Sequence, residues 1–313
     1  MIEIPRSRII ATGSFLPENV RTNDDLAQMV DTSDEWIRER TGIRERRIAG
    51  EGTFSSDMAA AAAKNALQAA GLKASDLDMI IVGTVTPDMP MPATAVFVQD
   101  KIGATCPSFD LSAACAGFVY GMSIADKFIR TGAAKYVLCV GVELLSRVID
   151  WTDRTTCVLF GDGAGAAVLG PGTAEQGLLS SVIHSDGSLA NSLKIPPGGK
   201  VEMIGRDIFK AAVRNLYSSS DSAVAMAGLK HSDIDWVVPH QANTRIIDQV
   251  TRRAEYPRER VLSNIATVGN TSSASIPILL DQSIRGGIVK EGDTVLMTAL
   301  GAGVSWGAAV VRM

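Results

Sequence analysis

The chain repeats itself, and this constrains its fold more than any other feature of the sequence. Residues 66–82, ALQAAGLKASDLDMIIV, set against residues 223–239, AVAMAGLKHSDIDWVVP, share AGLK, a Ser-Asp pair and a later Asp at an offset of 157. Each copy reads as an Ala-rich helix stopped by Gly71 or Gly228, a link with Ser-Asp turn chemistry, and a β-branched strand. A second pair, residues 115–132 (CAGFVYGMSIADKFIRTG) and 270–287 (NTSSASIPILLDQSIRGG), aligns without a gap at an offset of 155. A strand then follows in both halves, Tyr136–Val140 and Thr294–Thr298, and after it a Gly-rich stretch, Gly161–Leu169 and Gly303–Val311. Two copies of one order of elements, with strands apolar on both faces, predict a duplicated α/β fold. Two mainly parallel sheets should pack around a shared layer of helices. The boundary is expected near Pro171–Gly177, dividing residues 1–172 from 173–313.

Composition removes several classes of function. Thirty Lys and Arg against 34 Asp and Glu leave a formal charge of −4. The chain therefore lacks the cationic surplus that phosphate neutralisation demands, and no nucleic-acid partner is expected. The amino terminus carries Glu3 and Pro5, and its Ile9–Ala11 stretch is too short for the apolar core of a secretion signal. The longest uncharged run, Val261–Leu280, has the length of a membrane helix, but it is dense in Ser, Thr and Asn and holds Gly269 and Pro277. These readings predict a cytoplasmic chain that stays off the membrane. The cysteines, Cys106, Cys115, Cys139 and Cys157, form no CxxC pair, and three His supply no zinc spacing, so reduced thiols and no metal are expected.

The repeat also marks where chemistry should sit. Cys115 and Asn270 hold the same position in their halves, each opening a largely uncharged helix, and near a pseudo-twofold axis two such helix starts would face one another. Unpaired N–H groups and the positive end of the dipole at a helix start favour a thiolate, which suits Cys115 to nucleophilic attack. A free Cys also packs as a small hydrophobe, and an Asn also caps helices, so these motifs alone leave both readings open. His240, in PHQAN, ends an apolar strand, where open α/β proteins place ligands; a structural His bonded to backbone fits equally. His184 and His231 lie among turn residues and are expected in solvent, and Cys106, Cys139 and Cys157 in packing. Gly161–Ala167, GDGAGAA, imitates a dinucleotide fingerprint, but a strand-like run follows it where a helix should begin, so close backbone packing is the expectation. Two basic clusters remain. Arg38, Arg40, Arg44, Arg46 and Arg47 near Trp36 suit either a phosphate with a stacked base or a salt-bridged face. Arg245, Arg252 and Arg253 share one helix face, with Lys210 and Arg214 as possible additions, and suit an acidic partner.

Together, FDLSAACAGF, FGDGAGAAVL, VPHQAN, GNTSSAS and the early DTSDEWIRERTGIRER resemble the β-ketoacyl-acyl-carrier-protein synthase III family, thiolase-fold enzymes that prime fatty-acid synthesis, nearly end to end. The resemblance implies a thiolase-like, layered αβαβα architecture and a ping-pong condensation of acyl-CoA with malonyl-acyl carrier protein, with no metal and no cofactor besides the CoA substrate. It implies Cys115 as the acylated nucleophile, His240 and Asn270 as the decarboxylation pair, and the backbone N–H groups of Cys115 and Ala302 as oxyanion donors. Trp36 and Arg154 would sandwich the CoA adenine, while Thr32, Arg40 and Asn243 contact CoA or its pantetheine arm. The cationic face of Lys210, Arg214, Arg245, Arg252 and Arg253 would receive the carrier protein, and a homodimer would place Met91 near the partner's acyl pocket. Met91 and Leu300 stand where acetyl-using members carry aromatic rings, which implies a primer longer than acetyl. Competing readings are a priming or acyl-transfer enzyme of a specialised pathway, a Cys-His hydrolase, and a nucleotide-binding or interaction protein that uses GDGAGAA or the Arg face.

Overall fold

Apolar strands and helices alternate along the chain in an order that recurs after the midpoint. The computed structural model describes residues 6–313 apart from Ala174, so Glu3 and Pro5 of the amino-terminal reading lie outside the described residues. In chain order the strands are β1 (Ser7–Phe15), β2 (Val20–Thr22), β3 (Glu45–Arg47), β4 (Met79–Gly83), β5 (Ser108–Leu111), β6 (Val137–Glu143), β7 (Gly163–Pro171), β8 (Gly177–Ser185), β9 (Leu193–Lys194), β10 (Glu202–Met203), β11 (Trp236–Pro239), β12 (Thr294–Gly301) and β13 (Ser305–Arg312). The helices are α1 (Asn23–Ala27), α2 (Asp34–Thr41), α3 (Ser55–Ala70), α4 (Thr94–Ile102), α5 (Gly117–Arg130), α6 (Gly205–Met226), α7 (Thr244–Arg253), α8 (Ile265–Val268) and α9 (Ser275–Arg285). No helix among the described residues is long and apolar enough to cross a membrane.

Two sheets carry the architecture, one ordered β1-β7-β6-β4-β5 and the other β11-β12-β13-β8. The first takes its strands from residues 7–171 and the second from 177–312, and the link 172–176 between them includes Ala174, outside the described residues. The layered α/β order agrees with the sequence, but parallel pairing is narrower than expected. It joins β4 to β5 and β6, and β11 to β12, while the remaining neighbours in these sheets run antiparallel. The reason is connectivity: the chain passes from β6 to β7 and from β12 to β13 without the crossover helix that a parallel step requires.

The repeat is visible in detail. Gly71 after α3 and Gly228 after α6 have φ of 64° and 72°, the left-handed stop that a side chain disfavours. The matched acids behave alike: Asp78 accepts the N–H groups of Lys135 and Tyr136 at 2.7 and 2.9 Å, and Asp235 accepts that of Thr294 at 2.8 Å. Each ties the entrance of one strand to that of its parallel neighbour. The central helices α5 and α9 lie in the interior, where Phe118, Val119, Met122 and Ile129 of α5 are buried in the main apolar cluster. Each such side chain contributes roughly 1.5–3 kcal/mol of burial. The two helices carry a second pair of matched acids. Asp126 accepts the Ser7 hydroxyl at 2.8 Å, and Asp281 accepts the hydroxyls of Thr12 and Ser14 at 2.9 and 2.6 Å. Strand β1 is thus fastened to both central helices. GDGAGAA enters β7, and a Cβ on Gly165 would lie 2.7 Å from the Ile278 nitrogen of α9, so these glycines serve close packing.

Candidate active site

Cys115 lies on the wall of a cavity of about 650 Å³, with Ser272, Ala302, Phe160, Leu145 and Leu193 among its neighbours there. It is held in a 3-10 turn, Ala114–Ala116, that follows β5 and leads into α5. The end of β12 closes against this turn, since a Cβ on Gly301 would strike the Cys115 nitrogen and would lie 2.8 Å from the Ala114 Cβ. One expectation is corrected here. Burial pushes the Cys115 thiol up to about 12, with the charge of Glu143 adding to the rise and a hydrogen bond from Ser272 opposing it. Loss of solvation disfavours the ionised sulfur, so the resting group is a thiol.

His240 follows β11 directly and is buried; its backbone N–H donates to the Thr298 carbonyl at 2.8 Å. Its Nδ1 meets the Ser275 hydroxyl at 3.1 Å, and Ser275 accepts from Thr271 at 3.4 Å. A Ser275 hydroxyl that donates to Nδ1 leaves the ring proton on Nε2. Burial pushes His240 down to about 3, so the imidazole is neutral at physiological pH. Asn270 is fixed by backbone bonds to Leu159 and Gly161, and its Oδ1 accepts the Ser272 N–H at 2.9 Å. That commits the amide oxygen and leaves the Nδ2 hydrogens as donors. The turn 270–275 thus carries Asn270, sets Ser272 beside Cys115 and braces His240 through Ser275. His240 and Asn270 do not line the cavity that Cys115 lines; the turn connects them to it.

The residues expected at CoA gather elsewhere. Arg40 and Arg154 lie over the Trp36 ring at 4.8 and 5.0 Å from its centre, and Arg154 donates to the Asp31 carbonyl at 2.7 Å. Thr32 beside them has a buried hydroxyl with no partner. Asn243 caps α7 through the Arg245 N–H at 2.8 Å, next to the site where Thr244 meets Gly42 at the end of α2. None of these five residues lines the cavity. With Arg154 resting on Trp36, a ring could enter between them only after the two part. Ala302 does line the cavity, one residue beyond Gly301. Lys210 and Arg214 on α6 and Arg245, Arg252 and Arg253 on α7 are all exposed, and Arg253 lies 4.5 Å over the Tyr217 ring of α6.

Met91, expected near a partner's acyl pocket, is 84% exposed on this single chain. Other placements differ from the sequence reading. Leu300 is buried against Ala212, Leu216, Ile246 and Val250 and does not line the cavity. For Leu300 the cause is strand alternation: Val295, Met297 and Ala299 face the central helices, and Leu296 and Leu300 face α6 and α7. Arg46 is fully buried and donates to Asn23 and to the carbonyls of Arg21 and Val158, a structural role outside any surface cluster. His231 is held between the Tyr256 hydroxyl and Asp221, and His184, exposed on β8, stacks on Trp306. Two acids were missed. Asp110, at the end of β5, accepts the first N–H groups of α4 from Thr94 and Ala95 at 2.6 and 2.7 Å and borders the cavity. Glu143, at the end of β6, is fully buried behind Ser272. An acid closing an otherwise apolar strand, as in VLCVGVE, is the signal that could have found it.

Comparison with known proteins adds a separate line. Residues 109–187 match the family described as 3-oxoacyl-[acyl-carrier-protein] synthase III, and residues 224–313 match its C-terminal part. The chain is 50% identical to the β-ketoacyl-[acyl-carrier-protein] synthase III of Xanthomonas campestris pv. campestris, with 98% of each chain covered. It superposes on the 3-oxoacyl-[acyl-carrier-protein] synthase III of Aquifex aeolicus with a TM-score of 0.96, at 48% identity, over 98% of this chain and all of the other. It also superposes on the priming β-ketosynthase of the R1128 polyketide pathway, with a TM-score of 0.94 at 37% identity, over 100% of this chain and 98% of the other.

Proposed function

Because the chain belongs to the 3-oxoacyl-[acyl-carrier-protein] synthase III family, we propose how its own residues carry out the family's reaction. That reaction is the decarboxylative condensation of an acyl-CoA primer with malonyl-acyl carrier protein, which initiates fatty-acid synthesis. The Cys115 sulfur attacks the acyl carbonyl, the new thioester forms, and CoA leaves as a thiol carrying the proton that Cys115 gives up. The N–H groups of Cys115 and Ala302, two residues that share the cavity wall, receive the oxyanion. Malonyl carrier protein follows. As carbon dioxide departs, its bonding pair becomes an enolate, and the neutral His240 Nε2–H and the Asn270 Nδ2–H donate to the thioester oxygen. The enolate carbon then attacks acyl-Cys115, the sulfur leaves and regains a proton from solvent, and a β-ketoacyl carrier protein is released. The sequence is net redox-neutral, so it needs no external oxidant or reductant.

The observation that carries this assignment is the turn 270–275, which reaches Cys115, Asn270 and His240 at once. In the same reading Thr32, Trp36, Arg40, Arg154 and Asn243 hold CoA, the exposed cations of α6 and α7 receive the acidic carrier protein, and two copies form a dimer through the Met91 region. The primer is longer than acetyl, a reading favoured by the cavity of about 650 Å³ on whose wall Cys115 lies. Mass spectrometry after incubation with acetyl-, butyryl-, hexanoyl- and octanoyl-CoA, followed by product analysis with malonyl carrier protein, tests it. An acyl group on Cys115 and a β-ketoacyl product support the assignment. Free acid in place of a condensed product refutes it, and a steep fall in rate directly after acetyl refutes the longer primer.

A further inference from the structure

Glu143 has no role in the steps above, yet its surroundings are built. It ends β6 with no exposure to solvent, and every donor it receives is uncharged. Oε2 accepts the Val85 N–H at 3.0 Å and the hydroxyls of Thr86 and Thr84 at 2.7 and 3.3 Å. Oε1 accepts the Ser272 hydroxyl at 3.1 Å and meets that of Ser273 at 3.1 Å, whose one proton is shared with the Gly83 carbonyl at 2.8 Å. The first three donors belong to the segment that leaves β4, and the last two belong to the turn that carries Asn270 and Ser275. One side chain from the first sheet therefore grips the catalytic turn of the second half. The fit depends on missing side chains: a Cβ on Gly141 would lie 2.6 Å from the Ser273 carbonyl carbon, and one on Gly117 would lie 3.2 Å from the Ser273 Cβ. Burying a carboxyl among hydroxyls is costly unless each bond has a use, and here the use is to hold in register a turn with no regular ladder of its own.

We infer that Glu143 is a positioning residue for this reaction: its carboxyl locks the 270–275 turn so that Asn270 and the Ser275-braced His240 converge on the thioester oxygen during decarboxylation. The inference rests on the assignment above. Its electrostatic consequence is separable from its steric one. The titratable group that faces Glu143 across Ser272 is Cys115, whereas the segment after β4 and the turn itself offer Thr84, Thr86, Ser272, Ser273 and the Val85 N–H, none of which ionises. Burial pushes the Glu143 carboxyl above the usual carboxylate range, and in its ionised form it opposes ionisation of that thiol.

The test compares wild type with Glu143→Gln, Glu143→Asp and Ser273→Ala, measuring decarboxylation of malonyl-acyl carrier protein and the pH dependence of Cys115 alkylation by iodoacetamide. Glu143→Asp keeps a charge but retracts it by one methylene, so decarboxylation should fall about tenfold or more in kcat at nearly constant KM, with the alkylation profile little changed. Glu143→Gln should lose kcat similarly and move the alkylation profile to lower pH, because the opposing charge is gone. Ser273→Ala removes one donor and should show a smaller loss in the same parameter. Wild-type kcat in Glu143→Asp and Ser273→Ala would overturn the inference, as would an unmoved alkylation profile in Glu143→Gln. If Glu143 variants do not fold, Ser273→Ala alone decides. A wild-type protein that forms no condensed product would instead sink the assignment on which the inference rests.

Discussion

Replacing Gly301 by Ala puts the smallest side chain at the contact between the two proposed oxyanion donors. The added Cβ would lie 2.8 Å from the Ala114 Cβ, about 0.6 Å short of the 3.4 Å at which ordinary contact begins, and closer still to the Cys115 nitrogen. Gly301 has φ −135° and ψ −171°, extended backbone open to any residue, so the penalty is crowding and not backbone strain. Both neighbours belong to a buried turn between a strand and a central helix, and relieving the overlap must move either that turn or the end of β12. A shift of this size exceeds the roughly 0.5 Å within which a catalytic constellation must be held. The expected outcome is a loss of about 1–3 kcal/mol in stability from overpacking. The rate of Cys115 acylation should fall roughly tenfold to a hundredfold, because the N–H groups of Cys115 and Ala302 no longer converge on one oxygen. Rapid-quench mass spectrometry separates the two effects: the burst amplitude reports the competent fraction, and its rate constant reports the chemistry. Gly187→Ala, where an added Cβ meets nothing within 4 Å, serves as the control and should stay within about 0.5 kcal/mol of wild type. A wild-type acylation rate in Gly301→Ala would refute the placement of the oxyanion donors.

Cys115→Ser should abolish the acyl-enzyme detected by mass spectrometry, whereas changing Cys106, Cys139 or Cys157, all buried and unpaired, should leave it in place. His240→Ala and Asn270→Ala should retain acylation by acyl-CoA and lose decarboxylation of malonyl carrier protein; failure at acylation alone would favour a Cys-His activation scheme. Because His240 is pushed down to about 3, wild-type decarboxylation should show no acid limb from this residue between pH 5 and 8, and a limb near 6.5 that disappears in His240→Gln would contradict its burial. The same depression makes the His240 contribution to stability fully present above its unfolded value near 6.5 and lost as pH falls toward 3, so acid unfolding should ease in that window. Reversing the charges of Arg245, Arg252 and Arg253 should raise KM for malonyl carrier protein and flatten its salt dependence while leaving acylation unchanged; equal salt slopes in variant and wild type would remove this face as the docking site.

Much of this architecture was legible from the chain because duplication printed it twice. The stops at Gly71 and Gly228, the acids at Asp78 and Asp235, and those at Asp126 and Asp281 recur in register, and each pair makes the same kind of bond. Candidate site residues were legible for a related reason: the repeat set Cys115 against Asn270, although Cys115 lies two residues before α5 and Asn270 five before α9, and His240 follows the end of a strand. What escaped was whatever depends on the depth of a group in the interior. A helix start argues for a thiolate at Cys115, but only the packed structure shows how much solvent the sulfur loses. Leu300 was assigned to the acyl cavity through a resemblance, while the alternation of β12 turns it toward α6. Glu143 was overlooked because its donors come from segments nearly 60 and 130 residues away in the chain. His231 reads as a turn residue until Tyr256 and Asp221 close around it.

The fastening of β1 to both central helices has a consequence for how the protein is made. Thr12 reaches a carboxylate 269 residues further along the chain, and Ser14 one that is 267 residues away. On a ribosome that adds about 5–20 residues per second, the first strand emerges on the order of 15–50 s before Asp281 has been synthesised. During that interval β1 can pair with β7 and bond to Asp126, but its face toward α9 has nothing to cover it. The first half therefore leaves the ribosome with an unfinished surface, and the last quarter of the chain completes it. Nascent chains stalled before residue 281 should consequently be more open to protease at β1 than released protein, which makes the arrival of α9, rather than the closure of the first sheet, the event that covers β1.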